Sequence, residues 1–206
     1  MNPLNSSHIF SVPDSGGTFG FEPSMPNDFV KAEFFQRDAA TVARELIGKK
    51  INSTLGGNKI SGIIIETAAY TGENDPDTHN YRGASSKSVV WGAGSLYVYS
   101  SMGYAVVTVA TPPYNEGACV LIRALKITEG AESIRISGIT LGKADVVDGP
   151  GKVSKALRIT TEQNGQNIFH GCGIEIENGV VDYVVKAFGR KGSKAPDEKL
   201  LFKVAQ

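Results

Sequence analysis

"GIIIETAAYTG", residues Gly62 to Gly72, is an apolar run that gains a carboxylate, two alanines and an aromatic ring before its turn glycine. Three consecutive isoleucines favour a strand, because branched side chains pack well on a pleated surface. Alternation along such a strand places Ile64, Glu66, Ala68 and Tyr70 on one face, and Ile63, Ile65, Thr67 and Ala69 on the other. A carboxylate, a gap and a ring then share a single face.

The elements on either side support the strand reading. Upstream, "INSTLGGNKISGIIIETAAY" reads as a hairpin turning through Gly56, Gly57 and Asn58. Before it, "FFQRDAATVARELIGKK" reads as a short amphipathic helix. Asp38 is placed to cap it, Val42 and Leu46 share one face, and Gly48 stops it. Downstream, "TGENDPDTHNYRGASSKSVVWGAGS" is a long polar loop, and loops of that length inside compact domains tend to be functional or disordered. "LYVYSSMGYAVVTVAT" predicts a second hairpin with Ser101, Met102 and Gly103 at its tip, and with Tyr97 and Tyr99 on one face. "GACVLIRALKI" is an apolar strand carrying one arginine, Arg123. "DGPGKVSKALRI" opens a helix, and "CGIEIENGVVDYVVKAFGRKG" returns to strands.

Strand signals outnumber helix signals, and the order is mixed rather than alternating. The expected fold is α+β: a single compact domain around a curved, mainly antiparallel sheet with surrounding helices. Residues 1–28, rich in Pro, Gly, Ser and Asn, form an N-terminal arm, and residues 29–206 the domain.

Composition narrows the class without naming it. The chain has 206 residues, 41% hydrophobic and 20% charged, which is ordinary for a globular protein and enough for a sizeable core. A formal net charge of zero demands neither nucleic acid nor membrane, yet leaves room for a basic face. Cys119 and Cys172 lie in apolar surroundings and read as reduced thiols, and three histidines argue against an all-protein zinc site. No apolar run approaches the ~18 residues that span a bilayer. No secretory signal is visible, so a cytosolic or nuclear protein is expected.

Two clusters invite chemistry. Gly149 to Lys152 reads "GPGK", but Val153 stands where a phosphate-binding Walker loop needs Ser or Thr. The helix start still brings backbone N–H groups beside Lys152 and Lys155, a candidate phosphate contact. The loop "ENDPDTHNYRG" gathers Glu73, Asp75, Asp77, His79, Tyr81 and Arg82, which taken alone reads as a solvated loop. Arg123 is more telling, since an arginine in an apolar strand needs a partner or a route to solvent.

"EFFQRDAATVARELIGKKI", "IIIETAAYTGENDPDTHNYRG", "GSLYVYSSMGY", "EGACVLIRALKI" and "DGPGKVSKALRI" occur here in the order typical of one family. The sequence resembles the alkyladenine (3-methyladenine) DNA glycosylases of the mammalian type, from about Ala32 through "GRKGS" and "LLFKV". The resemblance implies excision of damaged purines from double-stranded DNA by a monomer that extrudes the lesion nucleotide. It implies hydrolysis by a water molecule with no metal or organic cofactor, and a β-hairpin that enters the minor groove. By the same resemblance Tyr70 is the ring on which the flipped base stacks. His79 contacts the base edge from the opposite side, and Tyr99 is a further pocket aromatic beside Tyr97. Arg123 reaches the DNA backbone, and Met102 stands where a wedge residue is expected.

One departure matters most. The family motif reads Glu-Thr-Glu-Ala-Tyr, and here Ala68 occupies the position of the water-activating glutamate. A methyl group neither accepts a proton nor orients water, and losing a positioned base costs about 10²–10⁴-fold in rate. Glu66 is a candidate substitute, but two residues along a strand is about 6.5–7 Å. Glu73 and Asp75 are others, from the loop. The asparagine expected further along the hairpin falls at Val109. Two other classes therefore stand beside the enzyme: a non-catalytic damaged-DNA-binding module, and a scaffold that has lost DNA binding. Retention of Tyr70, His79 and Arg123 argues against the scaffold.

Overall fold

The computed structural model describes residues 28–78, 92–111, 117–179 and 183–205. The arm, apart from Asp28, and the loop segment carrying His79, Tyr81 and Arg82 lie outside them. The expected α+β fold around a curled antiparallel sheet is what the chain forms.

Two short helices come first, α1 (Ala32–Phe35) and α2 (Ala39–Leu46). Asp38 caps α2 as expected, its carboxylate accepting from Thr41 N at 2.8 Å, a bond worth about 1 kcal/mol. Val42 and Leu46 are fully buried, each contributing roughly 1.5–3 kcal/mol through burial. Gly48 ends the segment at φ +89, where a side chain would be strained.

Nine strands form one sheet among the described residues, and every strand pairing is antiparallel. In chain order they are β1 (Lys50–Ser53), β2 (Ile60–Tyr70), β3 (Leu96–Ser101), β4 (Tyr104–Ala110) and β5 (Cys119–Glu129). Then follow β6 (Val146–Asp148), β7 (Ile174–Glu177), β8 (Val185–Phe188) and β9 (Leu201–Val204). The eleven-residue strands β2 and β5 are the axis. Each shares its outer edge between two partners. β2 pairs with β1 at Ile60–Ile63 and with β9 at Glu66–Ala68. β5 pairs with β4 at Cys119–Leu121 and with β6 at Ala124–Lys126. Strands that change partner partway along bend the sheet rather than letting it run flat.

The change of partner on β2 coincides with a bulge. Ile64 pairs with Leu125 and Glu66 with Ala124, leaving Ile65 as the extra residue. The bulge corrects the strict alternation expected from the sequence. Ile60, Ile64 and Ala69 pack in the main core, and Thr67 donates to Ala43 O of α2 at 2.7 Å. Ile64 therefore lies opposite Glu66, Ala68 and Tyr70, not beside them. One inserted residue flips the alternation of everything that follows.

α4 (Pro150–Ala156) opens at the glycine–proline turn as expected and packs against β4 and β5. α3 (Ala131–Ile136), between Gly130 and Gly138, is a helix that sequence reasoning missed. Its run "AESIRI" has isoleucines that read equally as strand.

Candidate base-binding site

Ala68 lies in a second, smaller apolar cluster, apart from the main core, with Val106, Leu121 and Leu201; Tyr70 and Tyr99 pack against it. Register explains the grouping. Ala68 is flanked in the sheet by Leu121 of β5 and Leu201 of β9, while Val106 pairs with Tyr99 across the hairpin. Tyr97 and Tyr99 share a face as expected, and their rings stack with centroids 5.1 Å apart. The β2 face ending in Tyr70 and the tyrosine face of β3 thus meet over Ala68. Burial pushes the phenols of Tyr70, Tyr97 and Tyr99 above the ordinary tyrosine range, so all three are neutral donors at physiological pH.

Val109 does not belong to this face. It packs in the main core, and Thr108 takes the position opposite Tyr97, donating to Tyr97 O at 3.1 Å.

Glu66 has both carboxylate oxygens engaged. Arg123 Nε donates to Oε1 at 2.8 Å and Lys203 Nζ approaches Oε2 at 2.8 Å. The Glu66 side chain is 10% exposed, against 31% for Arg123 and 43% for Lys203. Arg123 has the partner that its place in an apolar strand demanded, and that partner is a carboxylate of this chain. The assembly carries one surplus positive charge at a solvent-reaching edge, which suits an anion.

Asp75 is taken up elsewhere. Its side chain is fully buried and receives two bonds from Arg190, Nη1 to Oδ2 at 2.6 Å and Nη2 to Oδ1 at 2.7 Å. The backbone N–H groups of Thr71 and Asp77 also donate to it. Burial opposes its ionisation, but these bonds outweigh burial and hold the carboxyl below the usual aspartate range. Asp77 accepts from Arg190, Ser193 and Lys194 N. Of the loop carboxylates, only Glu73 is exposed. Neither Glu66 nor Asp75 is placed as a free proton acceptor.

Arg190 and Lys203 are the residues that sequence reasoning missed. Arg190 also donates to Ala69 O at 2.8 Å, and its guanidinium carbon lies 4.7 Å from the Tyr70 ring centroid. No local signal marks the pairing, since the Asp-Pro-Asp stretch reads as a solvated loop and the arginine that meets Asp75 is 115 residues away.

Met102 and Gly103 form a two-residue turn between β3 and β4, both at positive φ (49 and 80). Met102 is 94% exposed. Tyr104, at the base of the turn, crowds Gly151 of α4, where an added Cβ would lie 2.7 Å from Tyr104 Cβ. Gly149 N donates to Arg123 O at 2.9 Å, so the start of α4, with exposed Lys152, sits against Arg123. His79 lies outside the described residues. Among those residues no group of three His, Cys, Asp or Glu side chains is placed to hold a metal ion. None of their helices is long and apolar enough to cross a membrane.

An aromatic and apolar wall beside a paired arginine on a curled antiparallel sheet suits a flat, electron-poor ring attached to an anionic backbone. That is the class of site found in base-recognising DNA enzymes. The family profile described as methylpurine-DNA glycosylase matches residues 33–199. A protein of Bacillus cereus (strain AH187) is 37% identical over 147 residues, spanning 66% of this chain and 71% of its own length. One of Chlorobium phaeobacteroides (strain BS1) is 34% identical over 140 residues, with 66% and 70% covered. Both carry the provisional name 3-methyladenine DNA glycosylase. The chain belongs to the methylpurine-DNA glycosylase family.

Proposed function

We propose that this protein recognises alkylated or deaminated purines in double-stranded DNA and hydrolyses their N-glycosidic bond, acting as a monomer without a cofactor. The observation that carries the reading is the meeting of Tyr70 and Tyr99 over Ala68, in a chain of the methylpurine-DNA glycosylase family. A flipped base stacks on Tyr70, an interaction worth about 1–3 kcal/mol and strongest for electron-poor alkylated rings. His79 meets the base edge. Arg123 and Lys152 approach backbone phosphates from adjoining elements, and Met102 wedges the vacated step.

Water activation is the weak link of this site. Ala68 offers no base, and both oxygens of Glu66 are engaged. Hydrolysis then depends on the leaving group. Cationic 3-methyladenine and 7-methylguanine, which depart as neutral bases, are cleaved in preference to neutral hypoxanthine or ethenoadenine. The same observation favours a second reading, a module that binds lesions without cleaving them.

The test uses duplexes containing 7-methylguanine, 3-methyladenine, hypoxanthine or ethenoadenine, incubated with the protein, treated with alkali and examined for strand cleavage. Binding is measured in parallel over a salt series. Cleavage confined to the cationic lesions supports the enzyme. Lesion-selective binding without any cleavage supports the module. Equal affinity for damaged and undamaged duplex overturns both.

A further inference from the structure

We propose that Arg190 is a positioning residue for lesion recognition, presenting the Tyr70 ring to the flipped base from behind. This rests on the reading of Tyr70 as the stacking wall. Four hydrogen bonds fix the guanidinium: two to Asp75, one to Asp77 and one to Ala69 O. The last is the carbonyl immediately before Tyr70. A planar fork held bidentately has no rotational freedom left, so the ring 4.7 Å away packs against a fixed surface.

Burial strengthens the point. The Arg190 side chain is 6% exposed and that of Asp75 not at all, so water neither screens nor competes for the pair. The network also ties in Thr71 N, Asp77 N, Ser193 and Lys194 N. Tyr70 and the stretch 71–78 that follows it are thus one rigid unit with the turn after β8. With one ring face covered by a cation, a single face remains for a base. A ring ordered beforehand spares the ordering cost that a mobile side chain imposes on binding. Breaking a buried arginine–carboxylate pair strands a charge and costs stability wherever the pair lies. The stacking of Arg190 on Tyr70 gives it a role in selectivity as well.

The test compares a duplex containing ethenoadenine, whose own fluorescence reports stacking, with the undamaged duplex of the same sequence. In Arg190→Lys the charge remains but the fork and the planar ring contact are lost. Preference for the lesion is expected to fall about tenfold, with a smaller fluorescence change on binding. Affinity for undamaged duplex stays within about twofold, because phosphate contacts carry it. Unchanged preference and fluorescence overturn the proposal. So does a parallel loss of both affinities with a lowered unfolding midpoint, which marks a structural role alone. Should Arg190→Lys fail to fold, the neutral pair Asp75→Asn with Arg190→Gln carries the same comparison. Tyr70→Leu separates the two levels of inference. If it leaves lesion preference intact, Tyr70 is not the stacking wall. If it abolishes preference while the Arg190 variants do not, only the role of Arg190 fails.

Discussion

Arg123 and Glu66 face each other from neighbouring strands, joined by a 2.8 Å bond from Nε to Oε1, with Lys203 closing on the other oxygen. This relationship decides what the one carboxylate of β2 does. A general base must turn an oxygen toward water, and both Glu66 oxygens are turned toward cations. The geometry points to a role in holding a charged edge beside Ala68.

Glu66→Gln is therefore expected to act on DNA affinity and not on chemistry. Removing the anion releases Arg123 and Lys203 toward phosphate. Duplex binding should tighten by about two- to fivefold, the scale of a partly exposed ion pair, with a steeper salt dependence. Fluorescence anisotropy over a salt series reads this. A fall of about a hundredfold or more in single-turnover cleavage, as expected when a general base is removed, would mean that Glu66 activates water after all.

Ala68→Glu should restore what the site lacks. The new carboxylate enters a cluster of Leu121, Leu201, Tyr70 and Tyr99. Two effects compete. A gain in cleavage of about 10²–10⁴-fold is expected where neutral lesions are the substrate. Crowding and desolvation in the apolar cluster should cost about 1–3 kcal/mol of stability. The same desolvation raises the carboxyl's pKa, so the gain should develop as pH rises above the ordinary glutamate range. Alkali-cleavage kinetics on hypoxanthine duplex and thermal unfolding check the pair.

Met102→Gly separates stability from function at the hairpin tip. Met102 sits at φ +49, which costs a non-glycine residue roughly 1 kcal/mol, and its side chain, 94% exposed, has little packing to lose. The variant should melt at an equal or higher temperature while losing lesion affinity. Unchanged lesion affinity would remove Met102 from the DNA interface.

Asp75 makes stability depend on acid. Its folded-state pKa lies below the unfolded value of about 3.9. The stabilisation is therefore complete above that value and is lost as pH falls through the lower, folded pKa. Denaturant midpoints should be level near neutrality and decline below about pH 4. Asp75→Asn should lower the neutral plateau and flatten the acid decline. An acid limb identical in the variant would show that other carboxylates control it.

The two hairpins, the strand carrying Arg123 and the ends of α2 were legible because local chemistry fixes them: a capping aspartate, a stop glycine, glycine-rich turns and branched residues at strand spacing. By contrast, β6 and β9 were not legible as strands. Tyr97 and Tyr99 could be read as neighbours on one face for the same reason. α3 was not legible, since its isoleucines fit either period. The faces of β2 were read correctly only beyond Ile65. A bulge leaves no mark in composition, yet it moves Ile64 into the main core.

What the sequence by itself determined was the family, the fold class and the absence of a carboxylate at position 68, for these rest on residue identity and order along the chain. Tertiary structure decided who meets whom. It gave Glu66 to Arg123 and Lys203, and it set Arg190 against Tyr70 and against Asp75, the latter 115 residues away along the chain. Charge pairing in a buried site depends on distance in space, and no periodicity along a chain records that distance.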